Sequence, residues 1–316
     1  MNLFITHESA LEYWFGNFVR RNPPQRWLAA LPSSPLGDIR VDPEDFQHIG
    51  IHDQPLHLMV ADASQRTRQR SVISHVWSGP IPSGAFEPVR NGIWVSSPEL
   101  CFCQMAATLP FPQTVELGYQ LCARFRINGF LDTLEQCKPL TSAKALLSFA
   151  ERVDYRGAKK ARVAARHVLD DTESPREIAA AMLLTLPKCH GGYGFGGAKA
   201  NMTITVPNPG FWQRKLVYRG DLVWPEKRLV LEYDSDMFHA GPERISADAE
   251  RRNNLMDDGW RVITLTRAQL DSPAKMDAVA AQIARVLGVR NAYQAKHTPA
   301  LRAELRRQLL AASGTR

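Results

Sequence analysis

The sequence predicts a two-domain protein of the mixed α/β class, an α+β arrangement in which mixed sheets are flanked by helices. Three observations lead to this prediction. The chain has 316 residues, more than one ordinary domain usually holds. Its composition, 44% hydrophobic and 22% charged, is typical of globular proteins and excludes disordered and low-complexity scaffolds. Short β-rich runs alternate with helical segments along both halves of the chain.

The first half, residues 1–170, is predicted to be an α+β domain. A helix is expected from about Thr6 to Arg20, and a second helix at SSPEL, with Ser96 as its N-cap and Glu99 three residues on. Strands are expected at LHLMVAD, SVISHVW and GIWVSS, and further helices near 112–125, 142–152 and 157–169.

The second half, residues 171–290, is predicted to be a mixed sheet flanked by helices. DDTESP marks the boundary, and Ser174 with Glu177 forms a capping box that opens an apolar helix. Three strands (NMTITV, KLVYRGDLVW and RLVLEYD), a charged helix over about 242–257, the strand WRVITLT and a helix over about 274–287 follow. A basic C-terminal helix is predicted over 291–316.

Charge and cysteine usage indicate a cytoplasmic protein. The net charge is +7, and from residue 290 onward six basic side chains stand against one acidic side chain, so the bulk of the chain is not strongly basic. The five cysteines form no CxxC pair and are expected to be free, mostly buried thiols. No run of eighteen apolar residues occurs, and the N-terminus lacks the features of a signal peptide, so no membrane association is expected.

The segment RGDLVWPEKRLVLEYDSDMFH carries the strongest chemical signal. Two β-rich runs flank Pro225 to Arg228, which predicts a hairpin in which Asp221 lies opposite Glu232. Strand alternation then places Asp221, Glu232 and Asp234 on one face and the apolar side chains on the other. Carboxylates crowded in this way repel one another unless they are protonated or bind cations, and Mg²⁺ is a suitable cation. The alternative is an acidic strand face that points into water.

Polar residues near these carboxylates could belong to the same site. For some of them the sequence also offers a purely structural role. His239 follows closely enough to act as a general acid or base. Asp248 and Arg252 form an ordinary i,i+4 ion pair in the simpler interpretation, while Arg251 and Arg252 suit a phosphate. Glu177 is either a fourth carboxylate of the site or, as the capping box favours, a helix cap.

Taken together, these residues resemble the PD-(D/E)XK nuclease superfamily, in particular its very-short-patch-repair-like endonuclease branch. The likeness covers about 172–288 and rests on Asp221-Leu-Val-Trp-Pro225, Glu232-Tyr-Asp234 and Arg251-Arg-Asn253, followed by Gly259 and an apolar strand. It implies a restriction-endonuclease-like fold. It also implies a metal-dependent (Mg²⁺ or Mn²⁺) DNA endonuclease that hydrolyses phosphodiesters in repair or defence.

The resemblance also implies roles for individual residues. Asp221 and Glu232 would ligate the metal, and Asp234 and His239 would lie near the metal or the attacking water. In this sequence Asp234 stands where the superfamily has a lysine, and His239, Lys215 and Lys227 are candidates to replace that lysine. The departure keeps a second hypothesis open, a catalytically silent DNA-binding regulator or type IV antitoxin-like protein with the same fold.

The first half has a weaker likeness of its own. VSSPELCFCQMA, residues 95–106, resembles a segment of AbiEi-type antitoxin proteins. Those proteins commonly begin with a winged helix, and residues 1–50 show no helix-turn-helix pattern. The first domain is therefore expected to position DNA or to bind a protein partner, and the C-terminal helix is a second candidate for protein contact.

Overall fold

The structure, a computed structural model, describes residues 2–16, 41–77, 79–90, 92–128, 133–207, 215–234, 242–289 and 298–313. The chain divides into two compact units, Met1–Val168 and Leu169–Arg316. Sequence analysis placed this division two residues later, between 170 and 171. Both units combine helices with mixed or antiparallel sheets, so the predicted mixed α/β class is confirmed.

The first unit contains seven strands and five α-helices among the described residues. Its strands are β1 (Leu3–Ile5), β2 (Leu56–Val60), β3 (Val72–Val76), β4 (Phe86–Arg90), β5 (Ile93–Ser96), β6 (Phe125–Asn128) and β7 (Thr133–Gln136). Its helices are α1 (His7–Gly16), α2 (Pro98–Met105), α3 (Phe111–Cys122), α4 (Ala143–Arg152) and α5 (Ala158–Ala165). Short 3-10 helices span Pro43–Ile49 and Ala63–Gln65.

A five-stranded mixed sheet, in the order β3-β2-β1-β5-β4, organises this unit, and β6 and β7 form a separate hairpin. Strands β2, β3 and β5 were predicted; β1, β4, β6 and β7 were not. Helix α1 ends at Gly16 among the described residues, and the rest of the helix predicted to Arg20 lies outside them.

The start of α2 differs from the prediction by one residue. Ser97, not Ser96, is the N-cap, and its hydroxyl accepts the Leu100 N–H at 3.2 Å. Ser96 is the last residue of β5, where the sheet holds its backbone. Glu99 is therefore not the reciprocal member of a capping box, and its carboxylate accepts a hydrogen bond from the Thr141 hydroxyl instead.

A cluster of histidines lies where α1 meets strands β2 and β3. The rings of His7 and His75 stack with their centroids 3.6 Å apart, and His57 Nδ1 lies 3.0 Å from His75 Nε2 and 2.9 Å from Glu8 Oε2. Burial lowers the pKa of His7 to about 3 and that of His75 to about 4. His7 also has a left-handed backbone, with φ of 50°. The imidazoles of His7 and His75 are therefore neutral at physiological pH.

The second unit follows the predicted order of helix, three strands, helix, strand and helix. Its strands are β8 (Lys199–Pro207), β9 (Lys215–Trp224), β10 (Leu229–Asp234) and β11 (Arg261–Thr266). Its helices are α6 (Pro175–Thr185), α7 (Pro242–Asp257), α8 (Arg267–Asp271), α9 (Pro273–Leu287) and α10 (Thr298–Ser313). Short 3-10 helices span Lys188–His190 and Pro225–Lys227.

The four strands form one sheet in the order β11-β10-β9-β8. β8, β9 and β10 are antiparallel neighbours, whereas β10 and β11 are parallel and are connected through α7. Leu255 of α7 joins a buried apolar cluster with Ile204, Val206, Val223 and Val230, so α7 covers one face of this sheet.

The C-terminal helix α10 belongs to the second unit, although the sequence suggested a separate element over 291–316. It packs against α6 and the 3-10 helix at Lys188–His190. Leu305 and Leu309 are 2% exposed and anchor it, whereas Leu301 of the same predicted stripe is exposed. The apolar stripe is thus largely used within the chain.

The five cysteines differ in how far they are buried. Cys101, Cys103 and Cys122 are buried, Cys137 is partly buried and Cys189 is exposed, so the prediction of free, mostly buried thiols is confirmed. Burial raises the pKa of Cys103 to about 12, and it also raises that of Cys101. Among the described residues, no helix is long and apolar enough to span a membrane.

Candidate active site

The β9–β10 hairpin sets the position of the two central carboxylates. Val230 pairs with Val223 and Leu231 with Leu222, the register that the sequence predicted. The ladder ends there, and Asp221 and Glu232 are the next residues beyond it on their strands. The charge of Glu232 raises the pKa of Asp221, so the two carboxylates lie near each other.

The side chains of β9 do not alternate between the two faces of the sheet as regularly as the sequence predicted. Leu216 and Tyr218 pack on the same apolar cluster as Val223, although strict alternation would place even- and odd-numbered residues on opposite faces. The alternation therefore breaks between Tyr218 and Val223. Gly220 lies in this interval, and a Cβ there would lie 2.7 Å from both Val223 Cγ2 and Val230 Cγ1. A side chain larger than hydrogen does not fit at that point.

The neighbouring strand β8 is irregular at the same level. Asn201 has a left-handed backbone, with φ of 48°, a conformation that asparagine tolerates better than most residues. Its flanking residues still pair with β9, Ala200 with Leu222 and Met202 with Gly220. The Asn201 amide Nδ2 donates to the Asp171 carbonyl at 2.8 Å and to Glu177 Oε2 at 3.0 Å. Asn201 thereby links strand β8 to the start of α6.

Ser174 is the N-cap of α6, as predicted, and Glu177 supports it through a different bond from the reciprocal one of a capping box. Ser174 Oγ accepts the Glu177 N–H, and the Glu177 carboxylate in turn accepts from Ser174 Oγ and from the Glu173 N–H, each at 2.9 Å. With Asn201, this fixes both carboxylate oxygens. The carboxylate still acts on the site at a distance, because its charge raises the pKa of Asp221. The role of Glu177 at the helix start is therefore observed, and its role as a site carboxylate stays a prediction.

Asp221 is the carboxyl group whose protonation the site perturbs most clearly. Its pKa is raised to about 6, chiefly by burial and in addition by repulsion from Glu177 and Glu232. Two contacts oppose this shift: the Tyr233 N–H donates to Asp221 Oδ2 at 2.7 Å, and the positive charge of Arg251 lies nearby. Three carboxylates from α6, β9 and β10 therefore interact here, and the negative charge is only partly compensated.

Arg251 supplies that partial compensation. Its Nη2 lies 2.8 Å from Glu232 Oε1 and also donates to the Arg219 carbonyl. The guanidinium stands over the Tyr218 ring, 5.8 Å from its centroid, and the Tyr218 hydroxyl accepts from the Asn254 side chain at 2.9 Å. Residues of α7 and β9 thus hold Arg251 against the carboxylates.

The remaining predicted residues lie in different places. Arg252 is exposed, and its Nη2 donates to Thr264 Oγ1 of β11 at 3.2 Å. Asp234, the last residue of β10, is partly buried and pairs with Thr266. His239 lies outside the described residues, and so does the side chain of Asp248, whose backbone belongs to α7.

The two lysines considered as substitutes for the family's lysine do not reach the carboxylates. Lys215 precedes Asp221 by six residues on β9, a distance of roughly 20 Å at the usual rise per strand residue. Lys227 lies in the turn before β10, five residues ahead of Glu232 and exposed. The side chain that brings positive charge to the carboxylates is Arg251 instead.

The donor set suits a hard divalent ion held by few protein ligands. Within the ranges that the structure describes, no group of three or more His, Cys, Asp and Glu side chains is placed to hold a metal ion. Magnesium, however, is usually held by one or two carboxylates, with waters and substrate phosphates completing its shell. Asp221 and Glu232 supply two carboxylates, and repulsion from Glu177 and Glu232 contributes to the raised pKa of Asp221.

Sequence reasoning missed two residues that shape this site, Gly220 and Asn201. Gly220 stands directly before Asp221, and a glycine inside a strand often marks an irregularity, so a signal existed. Asn201 begins the segment NMTITV and gives no comparable signal in the sequence pattern.

Comparisons with known proteins add little about function. No protein-family model matches the chain. Two uncharacterized proteins of Mycobacterium tuberculosis, one from strain CDC 1551 and one from strain H37Rv, are each 35% identical to it over 71 residues. The match covers 22% of this chain and 26% of each relative, so the chain spans about a quarter of their length. No solved structure matches.

Proposed function

We propose that the unit Leu169–Arg316 is a metal-dependent DNA endonuclease of the very-short-patch-repair-like type. The observation that carries the proposal is the electrostatic crowding of Asp221 by Glu177 and Glu232, which raises its pKa together with burial. A protein gains nothing in stability from such crowding, and perturbed carboxyl groups are characteristic of catalytic sites. The mixed sheet with its flanking helices supports the proposal, because a restriction-endonuclease-like fold belongs to the same mixed α/β class.

Asp221 and Glu232 would hold Mg²⁺ or Mn²⁺. When bound, such an ion lowers the pKa of a water molecule and stabilises charge on a phosphodiester under attack. Asp221 is oriented for ligation because the Tyr233 N–H fixes one of its oxygens and the other remains available for a cation. Glu232 is oriented through its pairing with Arg251.

Arginines would bind the substrate phosphate. The Arg251 guanidinium already lies beside the carboxylates, where a phosphate shared with the metal would also be placed. Arg252 is exposed one residue further along α7. Asp234 and His239 remain the candidates for handling water and proton, on the strength of the sequence resemblance alone.

The test is cleavage of single-stranded, nicked, mismatched and duplex DNA by the full chain, with Mg²⁺, with Mn²⁺ and with chelator. We expect metal-dependent cutting that falls to the level of the chelator control in Asp221→Asn, which keeps the shape of the side chain and removes its charge. The matched control is Asp257→Asn, which makes the same change at an exposed position at the end of α7 and should cut normally.

The same experiment separates the alternative function. Asp234 at the family's lysine position and the Glu232–Arg251 pair both favour a silent DNA-binding regulator. Binding of DNA without cutting, unaffected by metal and by Asp221→Asn, would support that regulator and overturn the nuclease. Equal cutting by the wild type and Asp221→Asn would mean that Asp221 holds no catalytic metal.

A further inference from the structure

A second polar site lies in the same unit, beneath the C-terminal helix. A cavity of about 550 Å³ opens between α10, the end of α8, the start of α9 and the loop at Tyr193. Small-molecule sites commonly measure about 300–1,000 Å³, so this cavity has the size of a ligand site. Its lining combines apolar side chains with Tyr193, three arginines (Arg302, Arg306 and Arg307) and two aspartates (Asp271 and Asp277).

Two of these arginines are almost fully buried. Arg302 is 7% and Arg306 is 6% exposed, which is unusual for arginine. They lie one helical turn apart on α10. The Arg302 guanidinium stacks on the Tyr193 ring, with its central carbon 3.9 Å from the ring centroid. Arg306 Nη2 donates to the Leu270 carbonyl at 2.7 Å. Both side chains are therefore held in fixed positions at the cavity wall.

Neither guanidinium is fully satisfied by the surrounding protein. Within the part of the chain that the structure describes, the buried atoms Arg306 Nη1 and Arg302 Nε have no hydrogen-bond partner. Burial lowers the pKa of Arg306, and Arg302 adds to this shift, whereas Tyr193, Asp277 and Asp271 oppose it. Leaving buried, charged donors unpaired is costly, and native proteins normally avoid it or use it. A negative charge in the adjacent cavity would stabilise both guanidinium groups.

The aspartates do not cancel this positive charge. Asp277 accepts both the Tyr193 hydroxyl at 2.6 Å and Arg302 Nη1 at 3.2 Å, so it pairs with one arginine. Asp271 is engaged by two arginines that do not line the cavity, Arg176 and Arg267. Arg307 pairs with Glu304, which does not line the cavity. Among the described residues, Arg306 forms no ion pair with either aspartate, although both oppose the lowering of its pKa.

We propose that this cavity binds a small organic molecule through a phosphate group, with Arg302 and Arg306 as the anion-binding residues. Guanidinium groups match phosphate geometry, and two of them fixed one turn apart can contact one dianion together. The proline, alanine and leucine side chains of the lining would contact the organic part of the ligand. This site goes beyond the proposed nuclease function and does not depend on it.

The test measures binding of inorganic phosphate, adenosine 5′-monophosphate and adenosine to the full chain by calorimetry. We expect the monophosphate to bind, inorganic phosphate to bind more weakly because it lacks an organic part, and adenosine not to bind. Arg302→Gln and Arg306→Gln should each weaken binding by about tenfold or more, the usual effect of losing a hydrogen bond to a charged group. Arg285→Gln, an exposed arginine on α9, is the matched control and should bind normally.

A third variant keeps the test valid if Arg306→Gln does not fold. Ala303 is exposed and lines the cavity, so Ala303→Glu adds a negative charge to the site without disturbing the core, and it should abolish binding. Binding that survives Ala303→Glu and Arg302→Gln unchanged would overturn the proposal, as would the absence of binding at millimolar concentrations.

Two further measurements test whether the bound phosphate comes from a small molecule or from DNA, and whether it binds in this cavity or at the carboxylates. Displacement of the monophosphate by duplex DNA would assign the cavity to backbone phosphates and overturn the small-molecule proposal. Asp221→Asn should bind the monophosphate as the wild type does, whatever its effect on DNA cleavage. A loss of binding in Asp221→Asn would place the phosphate at the carboxylates and would also overturn the proposal.

Discussion

The protonation state of Asp221 affects both the stability of the second unit and the proposed chemistry. Its pKa is raised from 3.8 to about 6, chiefly by burial, so the folded state holds this proton more tightly than the unfolded state does. The contribution to stability is complete below pH 3.8 and is lost as the pH rises through 6. At neutral pH the ionised carboxylate is therefore a destabilising group.

Replacing this carboxylate by a neutral amide should stabilise the protein. We expect Asp221→Asn to unfold at a higher urea concentration than the wild type at pH 7.5, by roughly 1–2 kcal/mol, since one pKa unit corresponds to about 1.4 kcal/mol. The asparagine oxygen can still accept the Tyr233 N–H. The difference should shrink as the pH is lowered and vanish near pH 4.

The sign of the stability change in Asp221→Asn shows how well the surrounding protein compensates the carboxylate charge. A variant that is less stable than the wild type at pH 7.5 would show that the carboxylate is well compensated and that the site has no need of a cation. If Mg²⁺ binds at Asp221, millimolar Mg²⁺ should stabilise the wild type and leave Asp221→Asn unchanged, because a ligand stabilises only the state it binds.

At the scale of elements, the irregularity in β9 can be tested through Gly220. An alanine Cβ there would overlap Val223 Cγ2 and Val230 Cγ1, both on the buried face that α7 covers. We expect Gly220→Ala to cost about 1–3 kcal/mol, the usual range for overpacking a core, in the free energy of unfolding measured with urea.

The control for this substitution is another glycine of the same unit. An added Cβ at Gly196 meets nothing within 4 Å, and its backbone is not left-handed. Gly196→Ala should stay within about 0.5 kcal/mol of the wild type. Equal effects of the two substitutions would mean that β9 relaxes to regular alternation without cost.

Elements with long apolar runs or clear caps were predictable from the sequence, and the others were not. Strands β8 to β11 and helices α6 and α9 have clear hydrophobic patterns or caps, and α7 was recognisable as a charged helix between two strands. β1 has only three residues, and β4 contains Pro88, which argues against a strand. Such strands form because neighbouring strands pair with them, and tertiary pairing is not visible in a local pattern.

The candidate site was predictable in its register and less so in its electrostatics. The turn at Pro225 fixed the register of the β9–β10 hairpin, and Asp221 and Glu232 follow directly beyond its last pair, Leu222 with Leu231. The orientation of Arg251 toward Glu232 depends on how α7 lies across the sheet, and the sequence favoured a phosphate instead. The break in alternation at Gly220 lies beside the left-handed Asn201 on the adjacent strand, and strict alternation along a single strand predicts neither irregularity.

At the scale of the whole molecule, the two units should differ in how their stability responds to acid. In the first unit, the folded pKa values of His7 and His75 lie near 3 and 4, below the ordinary value of 6.5. The unfolded state therefore binds protons first, and the stability of this unit falls as the pH drops below 6.5. The Asp221 contribution in the second unit increases over part of the same range.

We expect the first unit to lose up to about 1.4 kcal/mol per pH unit for each of the two histidines between pH 6 and pH 4.5. Pulse proteolysis in urea at several pH values would measure this, with fragments assigned to residues 1–168 or 169–316 by mass spectrometry. The contribution of Asp221 should make the second unit less sensitive to acid over the same interval.

His7→Asn provides the matched variant for this measurement. Asparagine tolerates the left-handed backbone at position 7 and does not titrate. The acid sensitivity of the first unit should be smaller in His7→Asn than in the wild type. An identical pH dependence in the two proteins would exclude His7 as a source of the effect.

Because the cysteines differ in burial, one thiol should be open to selective chemical labelling. Three thiols are buried, two of them with a raised pKa, and Cys137 is partly buried with a raised pKa, whereas Cys189 is exposed. A maleimide dye added briefly at neutral pH should therefore attach first to Cys189. This residue lies in the short helix against which α10 packs, so a single fluorophore would report movements of α10 in the natural sequence.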